Sequence, residues 1–418
     1  MENIVILGAG FGGLRAAIKL GKKAKWLAKR GYQVILVDRN PYHTYTPTLY
    51  EVATTSKETA NYLDLKRVVT YPLTELLGGY RIQFRQDTVK NIDARKAQIE
   101  LERGGSLSYS HLIFALGAKV NYFGIQGLEK KCFTLKSFTE ALILRDAMLE
   151  KIYSAKYDRE FNIVICGAGS TGVELAAELQ EWFIELKKEG TKFNVRTTLI
   201  DAFPKILARL DKEVIRKAEK RLKRLGVDIL TNSLIEKMAG DKIVLKGDVR
   251  IRYDILIWTG GIEANSLTQT LPFKKSGRGT EVDKTLKAKP LNKRTVLKGE
   301  VYVIGDSATF KNGRTRGIVP QLARPAISEG SVAAENIMRS IAGKPKKGFR
   351  PMDYPYVVPV GGKYAIVKLG PFVVSGILGW ILKGLIELNY LISIMPLKYA
   401  LKTWFTGLSI FMKNDRLG

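Results

Sequence analysis

Residues 4–14 read Ile-Val-Ile-Leu-Gly-Ala-Gly-Phe-Gly-Gly-Leu, an apolar strand that enters a glycine-rich turn, and a helical pattern follows over residues 15–30. In a Gly-x-Gly-x-x-Gly turn, the first glycine, Gly8, allows the tight turn. Gly10 lets the backbone approach a pyrophosphate, and Gly13 lets helix and strand pack closely. The helix N-terminus then faces the phosphate charge. This stretch predicts a dinucleotide-binding βαβ unit.

The next apolar run, residues 33–38, ends in an acid. We expect Asp38 to accept hydrogen bonds from a ribose. Asp38 follows Gly13 by 25 residues, somewhat more than the usual spacing of about 20, and the lysine-rich helix between them accounts for the excess. Taken alone, a turn of this kind also fits an ordinary βα loop.

The pattern occurs a second time, in residues 162–174 (Asn-Ile-Val-Ile-Cys-Gly-Ala-Gly-Ser-Thr-Gly-Val-Glu), and a further strand ends in Asp201. This repetition predicts two bound dinucleotides. An acid at Asp201 favours a free 2′-hydroxyl and repels a 2′-phosphate, so we expect NADH rather than NADPH. Arg196 and Lys205 are the nearby cations that weaken this preference. The glycines of the second turn are Gly167, Gly169 and Gly172.

Three shorter buried-strand runs complete the pattern. Residues 112–118 and 256–261 end in small residues and suit chain crossings between two nucleotide-binding domains. Residues 301–308 deliver Gly305 and Asp306 to a loop, where backbone amides and a carboxylate could hold the ribityl chain of a flavin. A Gly-Asp pair by itself is more often a turn, but its position after the other four motifs predicts FAD as one of the two dinucleotides.

The length and composition indicate a folded multidomain protein and argue against a disulfide-stabilised or metal-binding one. The 418 residues suffice for two or three domains, and 45% hydrophobic with 26% charged residues is typical of a folded globular protein. Two cysteines, Cys132 and Cys166, support neither a disulfide framework nor a zinc site. With only His43 and His111 as imidazoles, we expect no metal site.

The charge is strongly basic, with 68 Lys and Arg against 40 Asp and Glu and a formal net charge of +28. Such a surface attracts polyanions, either nucleic acid or anionic lipid. No recognised nucleic-acid motif accompanies the charge, so we expect no nucleic-acid partner. A cluster such as residues 212–224 also fits a solvated helix face.

In this order, the five segments resemble the two-dinucleotide-binding flavoproteins, and within them the type II NADH:quinone oxidoreductases. Sulfide:quinone oxidoreductases are near relatives in that family. The resemblance implies an α/β fold with two Rossmann-like domains and a C-terminal amphipathic helical segment for membrane association. The implied regions are an FAD domain of residues 1–118 and 263–345, an inserted NADH domain of residues 119–262, and a membrane-association region of residues 346–418. Further matching segments are residues 40–49, 122–127, 135–137, 144–145 and 359–365.

The resemblance also implies the cofactors and their contacts. FAD is expected at Gly8, Gly10, Gly13, Asp38 and Asp306, and NADH at Gly167, Gly169, Gly172 and Asp201. Additional cofactor contacts are implied at Gly12, Pro47, Ala115, Gly117, Gly260, Gly305 and Ala323. The implied reaction takes hydride from NADH and passes two electrons to a membrane quinone without pumping protons.

Three catalytic candidates come from the resemblance. Glu174 matches a carboxylate near nicotinamide and flavin, with a role in proton delivery or quinone contact, although an acid in the first turn of a helix also interacts favourably with the helix dipole. Lys383 matches a lysine near the quinone tunnel, and a lysine that snorkels to headgroups is the alternative. Arg324 and Ser328 replace the family's two glutamines. Arg324 could stabilise negative charge on reduced flavin or a quinol oxygen, or it could be a surface arginine at a helix start.

The cysteines and the basic charge bear on which electron acceptors other than quinone are compatible with the sequence. A sulfide or disulfide branch needs redox cysteines, and neither Cys132 nor Cys166 forms such a pair. A soluble acceptor such as ferredoxin, docked on the basic surface, remains an alternative to quinone. A membrane-bound redox sensor with negligible turnover is a third hypothesis, supported only by Arg324 and Ser328.

The C-terminal segment predicts two helices. Residues 377–394 are apolar almost all round except for Lys383 and Glu387, and a second helix has an apolar stripe. We expect monotopic attachment to the cytoplasmic face of the cytoplasmic membrane, with anionic lipid as a partner. A homodimer interface, and a true span of residues 372–397, are the alternatives. The stripe consists of Leu397, Leu401, Trp404, Phe405, Leu408 and Phe411.

Overall fold

The computed structural model describes residues 1–154, 160–277, 279–292, 294–312 and 317–414. Two compact units emerge from the contacts between residues. Unit 1 comprises Met1–His43, Tyr71–Val120 and Ile262–Tyr354. Unit 2 comprises Thr44–Thr70, Asn121–Gly261 and Pro355–Gly418, so it includes the C-terminal helices.

The helices of the described residues are numbered in chain order. They are α1 (Phe11–Gly21), α2 (Ala24–Ala28), α3 (Leu49–Ala53), α4 (Tyr62–Val69), α5 (Leu73–Leu77), α6 (Leu128–Lys131), α7 (Phe138–Ser154), α8 (Ser170–Lys188), α9 (Lys212–Arg224), α10 (Leu267–Thr270), α11 (Ala323–Ile341), α12 (Ile377–Ile394) and α13 (Leu397–Asn414). Short 3-10 turns cover Thr46–Thr48 and Gly305–Ser307.

The strands of the described residues are numbered in the same way. They are β1 (Glu2–Leu7), β2 (Tyr32–Asp38), β3 (Tyr42–Thr44), β4 (Thr70–Pro72), β5 (Ile82–Gln86), β6 (Val89–Asp93), β7 (Gln98–Leu101), β8 (Ser106–Ser108), β9 (His111–Phe114), β10 (Ala118–Val120), β11 (Glu160–Cys166), β12 (Asn194–Ile200), β13 (Val227–Leu230), β14 (Ile235–Ala239), β15 (Lys242–Leu245), β16 (Val249–Arg252), β17 (Ile255–Trp258), β18 (Ile262–Ala264), β19 (Lys275–Ser276), β20 (Gly279–Glu281), β21 (Glu300–Val303), β22 (Ala308–Thr309), β23 (Tyr356–Pro359), β24 (Ala365–Leu369) and β25 (Phe372–Gly376).

Unit 1 is built on a parallel five-stranded sheet in the order β21-β9-β1-β2-β5. The central strand β1 is apolar on both faces, and Ile4 to Leu7 are fully buried, as expected for a parallel sheet covered on both sides. Helix α11 packs against α1 through glycines, since a Cβ on Gly330 would lie 2.1 Å from the Gly12 carbonyl oxygen. The predicted Rossmann-like order of strand, glycine turn and helix is confirmed here.

The helical pattern expected over residues 15–30 is divided in the structure. Helix α1 ends at Gly21, and α2 begins at Ala24. A Cβ at Gly21 would lie 2.7 Å from the Ile82 Cδ1 atom and 2.8 Å from the Tyr80 Cβ atom, so a side chain here would force these neighbours to shift. Glycine weakens a helix interior, which gives a physical reason for the helix to end there.

Unit 2 contains the second parallel sheet, in the order β13-β12-β11-β17. Cys166 at the end of β11 lies beside Ile200 and Trp258, so the strand ends that carry the second glycine turn are aligned. Its core includes the fully buried Trp182 and Phe183 of α8. The repetition of the dinucleotide-binding pattern predicted from the sequence is confirmed.

The C-terminal part of unit 2 is a three-stranded antiparallel sheet, β23-β24-β25, followed by α12 and α13. Both predicted helices are present, and α12 packs on β24 and β25. Residues 372–376 form strand β25 rather than the first turns of a helix. Trp404 of the apolar stripe donates its indole N–H to the Gly384 carbonyl at 2.8 Å, so part of that stripe packs within the unit.

Candidate active site

The first glycine turn, residues 8–13, is packed too tightly for side chains on its inner side. Gly8 has φ of +94°, and a Cβ there would lie 2.4 Å from the Ala115 carbonyl oxygen. A Cβ at Gly13 would lie 1.9 Å from the Gly8 carbonyl oxygen. Glycine at both positions is therefore required by the close approach of β1, α1 and the end of β9.

The outer side of the same turn is open. A Cβ at Gly10 would meet no described atom within 4 Å, and no described side chain caps the N-terminus of α1. The first-turn N–H groups of a helix lack intrahelical partners, which makes such an end an anion site. These residues fit the pyrophosphate of FAD.

Asp38, the acid predicted to bind ribose, is fixed by the turn itself. Its carboxylate accepts hydrogen bonds from the backbone N–H groups of Ala9, at 2.6 Å, and Asn40, at 2.8 Å. Burial raises the pKa of Asp38, and these two donors oppose that effect. A carboxylate has about four acceptor positions, so capacity remains for a ribose hydroxyl.

His43 also contacts this turn. Sequence reasoning considered it as an imidazole ligand and placed it in the matching segment 40–49, but assigned it no role at the turn. Its Nδ1 lies 2.8 Å from the Ala9 carbonyl oxygen, so the neutral ring donates from Nδ1. Burial lowers the pKa of His43 to about 4, which keeps the ring neutral at physiological pH. Both backbone polar groups of Ala9 are thus satisfied by side chains, and the first glycine turn is held on two sides.

The Gly305–Asp306 loop is held by two side chains of unit 1. The Gly305 N–H donates to a carboxylate oxygen of Glu329 at 2.6 Å, and the Gln321 amide donates to the Asp306 carbonyl at 2.7 Å. Ser307 donates its hydroxyl to the Gly117 carbonyl at 2.8 Å. Burial, with a smaller contribution from Asp306, raises the pKa of Glu329 to about 8. Sequence reasoning missed Glu329, because a single acid within a helical pattern gives no signal of burial.

The start of α11 carries the predicted residues Ala323 and Arg324. Arg324 is exposed in the first helical turn, where the positive end of the helix dipole disfavours a cation. The helix dipole therefore does not explain an arginine at this position. Gly12 faces the same helix, since a Cβ there would lie 2.9 Å from the Ala326 carbonyl oxygen.

The second glycine turn, residues 167–172, repeats the geometry of the first. Gly167 has φ of +111°, and a Cβ there would lie 2.5 Å from the Gly260 Cα. A Cβ at Gly172 would lie 1.9 Å from the Gly167 carbonyl oxygen. Gly169 again has no described atom within 4 Å of its Cβ position, and no described side chain caps α8. The residues fit a second pyrophosphate, that of NADH.

Asp201 repeats the hydrogen bonds of Asp38. Its carboxylate accepts from the N–H groups of Ala168, at 2.5 Å, and Phe203, at 2.8 Å. Arg196 is engaged elsewhere, with its Nε 2.6 Å from a carboxylate oxygen of Asp228. Arg196 also stands five residues upstream in β12, roughly 16 Å along a strand, so it does not offset the charge of Asp201.

A buried ion pair lies elsewhere in unit 2. The Lys383 ammonium of α12 pairs with the Glu51 carboxylate of α3, and both side chains are mostly buried. The ammonium also lies 5.6 Å from the centre of the Tyr50 ring. Sequence reasoning selected Lys383 but missed Glu51, whose position gave no motif to recognise.

Two further carboxyl groups belong to this cluster. Burial raises the pKa of Glu174 to about 8, with Lys383 lowering it and Glu51 raising it. Burial likewise raises the pKa of Glu387 to about 7, with the same two opposing neighbours. We call Glu51, Glu174, Lys383 and Glu387 the carboxyl–lysine cluster. Lys383 is the cation that opposes both shifts among the described residues, and a Glu174 carboxyl with a pKa of about 8 carries its proton at neutral pH.

The remaining predicted contacts have these positions. Pro47 is exposed in the 3-10 turn before α3 and belongs to unit 2, whereas Arg324 belongs to unit 1.

Cys166 is buried in β11, and burial raises the pKa of its thiol. Burial raises the pKa of Cys132 to about 11. Thiols of this kind are poor nucleophiles at neutral pH.

The C-terminal helices expose large apolar side chains. Leu378 is 62% exposed, Leu397 57% and Phe405 59%. Among the described residues, α12 alone is long and apolar enough to cross a membrane, judged by length and composition. Only 22% of that helix is buried within the protein.

Two glycine turns, each followed by a strand that ends in an acid, define a protein that binds two dinucleotides. The chain belongs to the pyridine nucleotide-disulphide oxidoreductase family, whose family model matches residues 2–330. It is an FAD- and NADH-dependent oxidoreductase.

Two curated proteins are similar to this chain over most of its length. A type II NADH:quinone oxidoreductase of Haemophilus influenzae is 27% identical over an alignment of 406 positions, which covers 88% of this chain and 87% of that protein. The type II NADH:quinone oxidoreductase Ndh of Mycobacterium tuberculosis is 28% identical over an alignment of 427 positions, which covers 96% of this chain and 87% of that protein.

Solved structures share the fold. NDH2 from Plasmodium falciparum, in complex with NADH, superposes with a TM-score of 0.82 at 16% identity and covers 100% of this chain and 99% of its own. The sulfide:quinone oxidoreductase of Aquifex aeolicus gives 0.76 at 18% identity, with coverages of 99% and 96%.

Proposed function

We propose that this protein is a type II NADH:quinone oxidoreductase, which oxidises NADH and reduces a membrane quinone to quinol. FAD bound at the first glycine turn supplies the redox chemistry, accepting hydride equivalents and passing two electrons onward. The balanced reaction consumes NADH, one proton and quinone, and releases NAD⁺ and quinol. The similarity to type II enzymes over most of the chain supports this assignment.

A single observation carries the quinone half of the proposal. Helix α12 places Lys383 and Glu387, one turn apart, on the face that packs into unit 2. Its opposite face exposes Leu378, Ile381 and Leu385. One helix thus combines an apolar outer surface with a polar, proton-holding inner surface, as a reductase of a lipid-dissolved substrate requires.

In this proposal the carboxyl–lysine cluster supplies the protons that quinone reduction consumes. A Glu174 carboxyl with a pKa of about 8 is mostly protonated at pH 7, so it can act as a general acid. Lys383 stabilises negative charge that develops on a quinone oxygen. Arg324 is proposed to do the same at the flavin end of the reaction.

The second glycine turn is proposed to prefer NADH to NADPH. Asp201 keeps its carboxylate at the end of β12, and Arg196 is paired with Asp228. A 2′-phosphate near Asp201 would be repelled, whereas a 2′-hydroxyl can donate to it.

The proposed location is the cytoplasmic face of the cytoplasmic membrane, with α12 and α13 lying in the interface. Exposed apolar residues on both helices, together with the lysines of α13, suit the boundary between headgroups and acyl chains of anionic lipid. Because α12 packs on β24 and β25, lipid cannot surround it completely, which favours attachment over a span. A homodimer through the same helices is the alternative use of this surface.

Anaerobic spectroscopy tests the reaction. Flavin absorbance of the purified protein should bleach with NADH and return when a quinone analogue is added. Bleaching without reoxidation by any quinone would contradict the proposal. Electron transfer to a soluble carrier such as ferredoxin would instead slow sharply with ionic strength, whereas quinone turnover should depend mainly on lipid or detergent.

Membrane attachment is tested by vesicle co-sedimentation. Replacing Leu378, Leu385 and Phe405 with Ser should release the protein from phosphatidylcholine vesicles. Replacing Leu234 and Val249 with Ser is the matched control, because both are exposed elsewhere in unit 2. If all variants still bind, α12 and α13 are not the attachment surface, and a concentration-dependent dimer would identify the alternative.

A further inference from the structure

One face of α9 lines a strongly basic cavity that the proposed reaction does not use. The cavity has a volume of about 250 Å³. Among the residues that the structure describes, none that lines the cavity is acidic, and the lining consists of Arg216, Lys217, Lys220, Arg221, Arg224 and Tyr364. We call it the α9 cavity.

Part of its lining is held rigidly. Arg221 donates to a Glu181 carboxylate oxygen at 2.7 Å and lies 5.0 Å from the centre of the Tyr364 ring. Lys217 donates to the Ser375 hydroxyl at 3.0 Å and pairs with Glu213 at 3.7 Å. These contacts fix one wall of the cavity.

The other wall carries unbalanced positive charge. Arg216, Lys220 and Arg224 are exposed and recur every four residues, so they lie on one side of the helix. Within the described parts of the chain, none of the three has an acidic partner. Guanidinium groups form bidentate hydrogen bonds with phosphate, so the cavity is suited to a phosphate group.

The cavity adjoins the start of α12. Tyr364 directly precedes Ala365 in β24, which pairs with Gly376, the residue before α12. Lys217 contacts Ser375 of β25, the residue next to Gly376. Directly after β25, Ile377 and Leu378 are exposed apolar side chains. Basic cavity and apolar helix face are therefore continuous.

We propose that the α9 cavity binds the phosphate of an anionic phospholipid headgroup, with the acyl chains lying along the exposed face of α12. This inference rests on the proposed membrane attachment and adds a defined headgroup site within unit 2. The volume is below the roughly 300–1,000 Å³ of pockets for drug-sized ligands, so a phosphate group fits and a dinucleotide does not. Continuity with the apolar face favours a lipid over a free phosphate.

Vesicle partitioning of the full chain tests the site. The cavity variant is R216Q/K220Q/R224Q, and the matched control is K212Q/K223Q/K242Q, which removes three exposed cations of unit 2 that do not line the cavity. On vesicles of phosphatidylcholine mixed with phosphatidylglycerol, we expect the cavity variant to partition at least about tenfold more weakly. The control should change by less than about threefold. Both should bind phosphatidylcholine alone like the parent protein.

Two outcomes would overturn the proposal. Equal losses in the two variants would show that the net charge of +28 attracts the membrane without a defined site. Calorimetric binding of inorganic phosphate or glycerol phosphate to the α9 cavity, without any vesicle preference, would identify a free-phosphate site instead. Turnover with a soluble quinone analogue in detergent should be the same for both variants. If the parent protein itself fails to bind phosphatidylcholine vesicles, the proposed membrane attachment is contradicted.

Discussion

Glu51 and Lys383 are separated by 332 residues in the chain and form an ion pair inside unit 2 that connects α3 to α12. The pair fixes the ammonium among Glu51, Glu174 and Glu387. Removing one partner of a buried pair leaves an uncompensated charge. The proposed role of the pair in the reaction can therefore be separated from its effect on stability only by measuring both.

Glu51→Gln should slow quinone reduction by about tenfold or more, because Lys383 loses the group that positions it. Anaerobic reduction of the flavin by NADH should change little, since that step uses the second glycine turn. Stopped-flow traces of the two half-reactions provide the measurement. Glu219→Gln, a substitution on α9, is the control. Equal slowing of both half-reactions would indicate a general structural defect.

The pH dependence of quinone turnover should report Glu174. A carboxyl with a pKa of about 8 is protonated below that value, so proton donation is present at pH 7 and is lost as the pH rises through 8. The parent enzyme should therefore show a falling alkaline limb near pH 8. Glu174→Gln should be slower and lack that limb, whereas Glu189→Gln at the end of the same helix should retain it. A limb unchanged in Glu174→Gln would exclude this carboxyl as the proton donor.

Asp201→Asn should relax the preference for NADH. The amide oxygen can still accept the Ala168 N–H bond, whereas the amide NH2 cannot accept the Phe203 N–H bond that the second carboxylate oxygen accepts in the parent. The substitution removes the charge that repels a 2′-phosphate. The ratio of kcat/KM for NADPH to that for NADH should rise by about tenfold, a change of ~1.4 kcal/mol. Asp228→Asn, which frees Arg196, serves for comparison. If that variant gives the larger rise, Arg196 governs the choice of nucleotide.

Adding a single methyl group to each glycine turn should distinguish the dinucleotides that the two turns bind. Gly10→Ala and Gly169→Ala add a Cβ that meets no described protein atom, so both variants should fold. Gly10→Ala should lose bound FAD, measured as flavin absorbance per protein, because the methyl group occupies the pyrophosphate position. Gly169→Ala should keep FAD and show a raised KM for NADH. Full FAD occupancy in Gly10→Ala would place the pyrophosphate elsewhere.

Glu329 makes stability depend on pH. Its folded-state pKa of about 8 exceeds that of an unfolded glutamate, about 4.3. The folded state therefore binds the proton more tightly, and this contribution to stability is present at pH 4 and lost as the pH rises to 8. Glu329→Gln does not titrate, so its Tm relative to the parent should increase by about 5 °C or more between pH 5 and 9. A constant difference in Tm would show that Glu329 is ionised in the folded protein.

The sequence predicted the parallel sheets and glycine turns because their physics is local. A strand, three glycines and an acid occur within a short segment, and steric limits on glycine determine their arrangement. The same reasoning located Asp38 and Asp201, but it did not reveal that each acid is held by the amide of Ala9 or Ala168.

Glu51, Glu329 and His43 could not be identified in this way. Each acquires its role through burial against a distant segment, and neither residue type nor spacing indicates burial of a single polar side chain. The C-terminal apolar stripe shows the same limit. Its periodicity predicted a helix correctly. It did not indicate that the Trp404 indole donates to the Gly384 carbonyl, because that contact depends on which segment packs beside the helix.

The contact between Gly12 and Gly330 has a consequence for biosynthesis. The first glycine turn is made before the helix that packs on α1 through Gly330, which follows more than 300 residues later in the chain. On the ribosome, the face of α1 that receives α11 therefore stays uncovered while the intervening residues are made. Flavin loading should await the synthesis of α11, and chaperones that shield the exposed face of α1 would act before it.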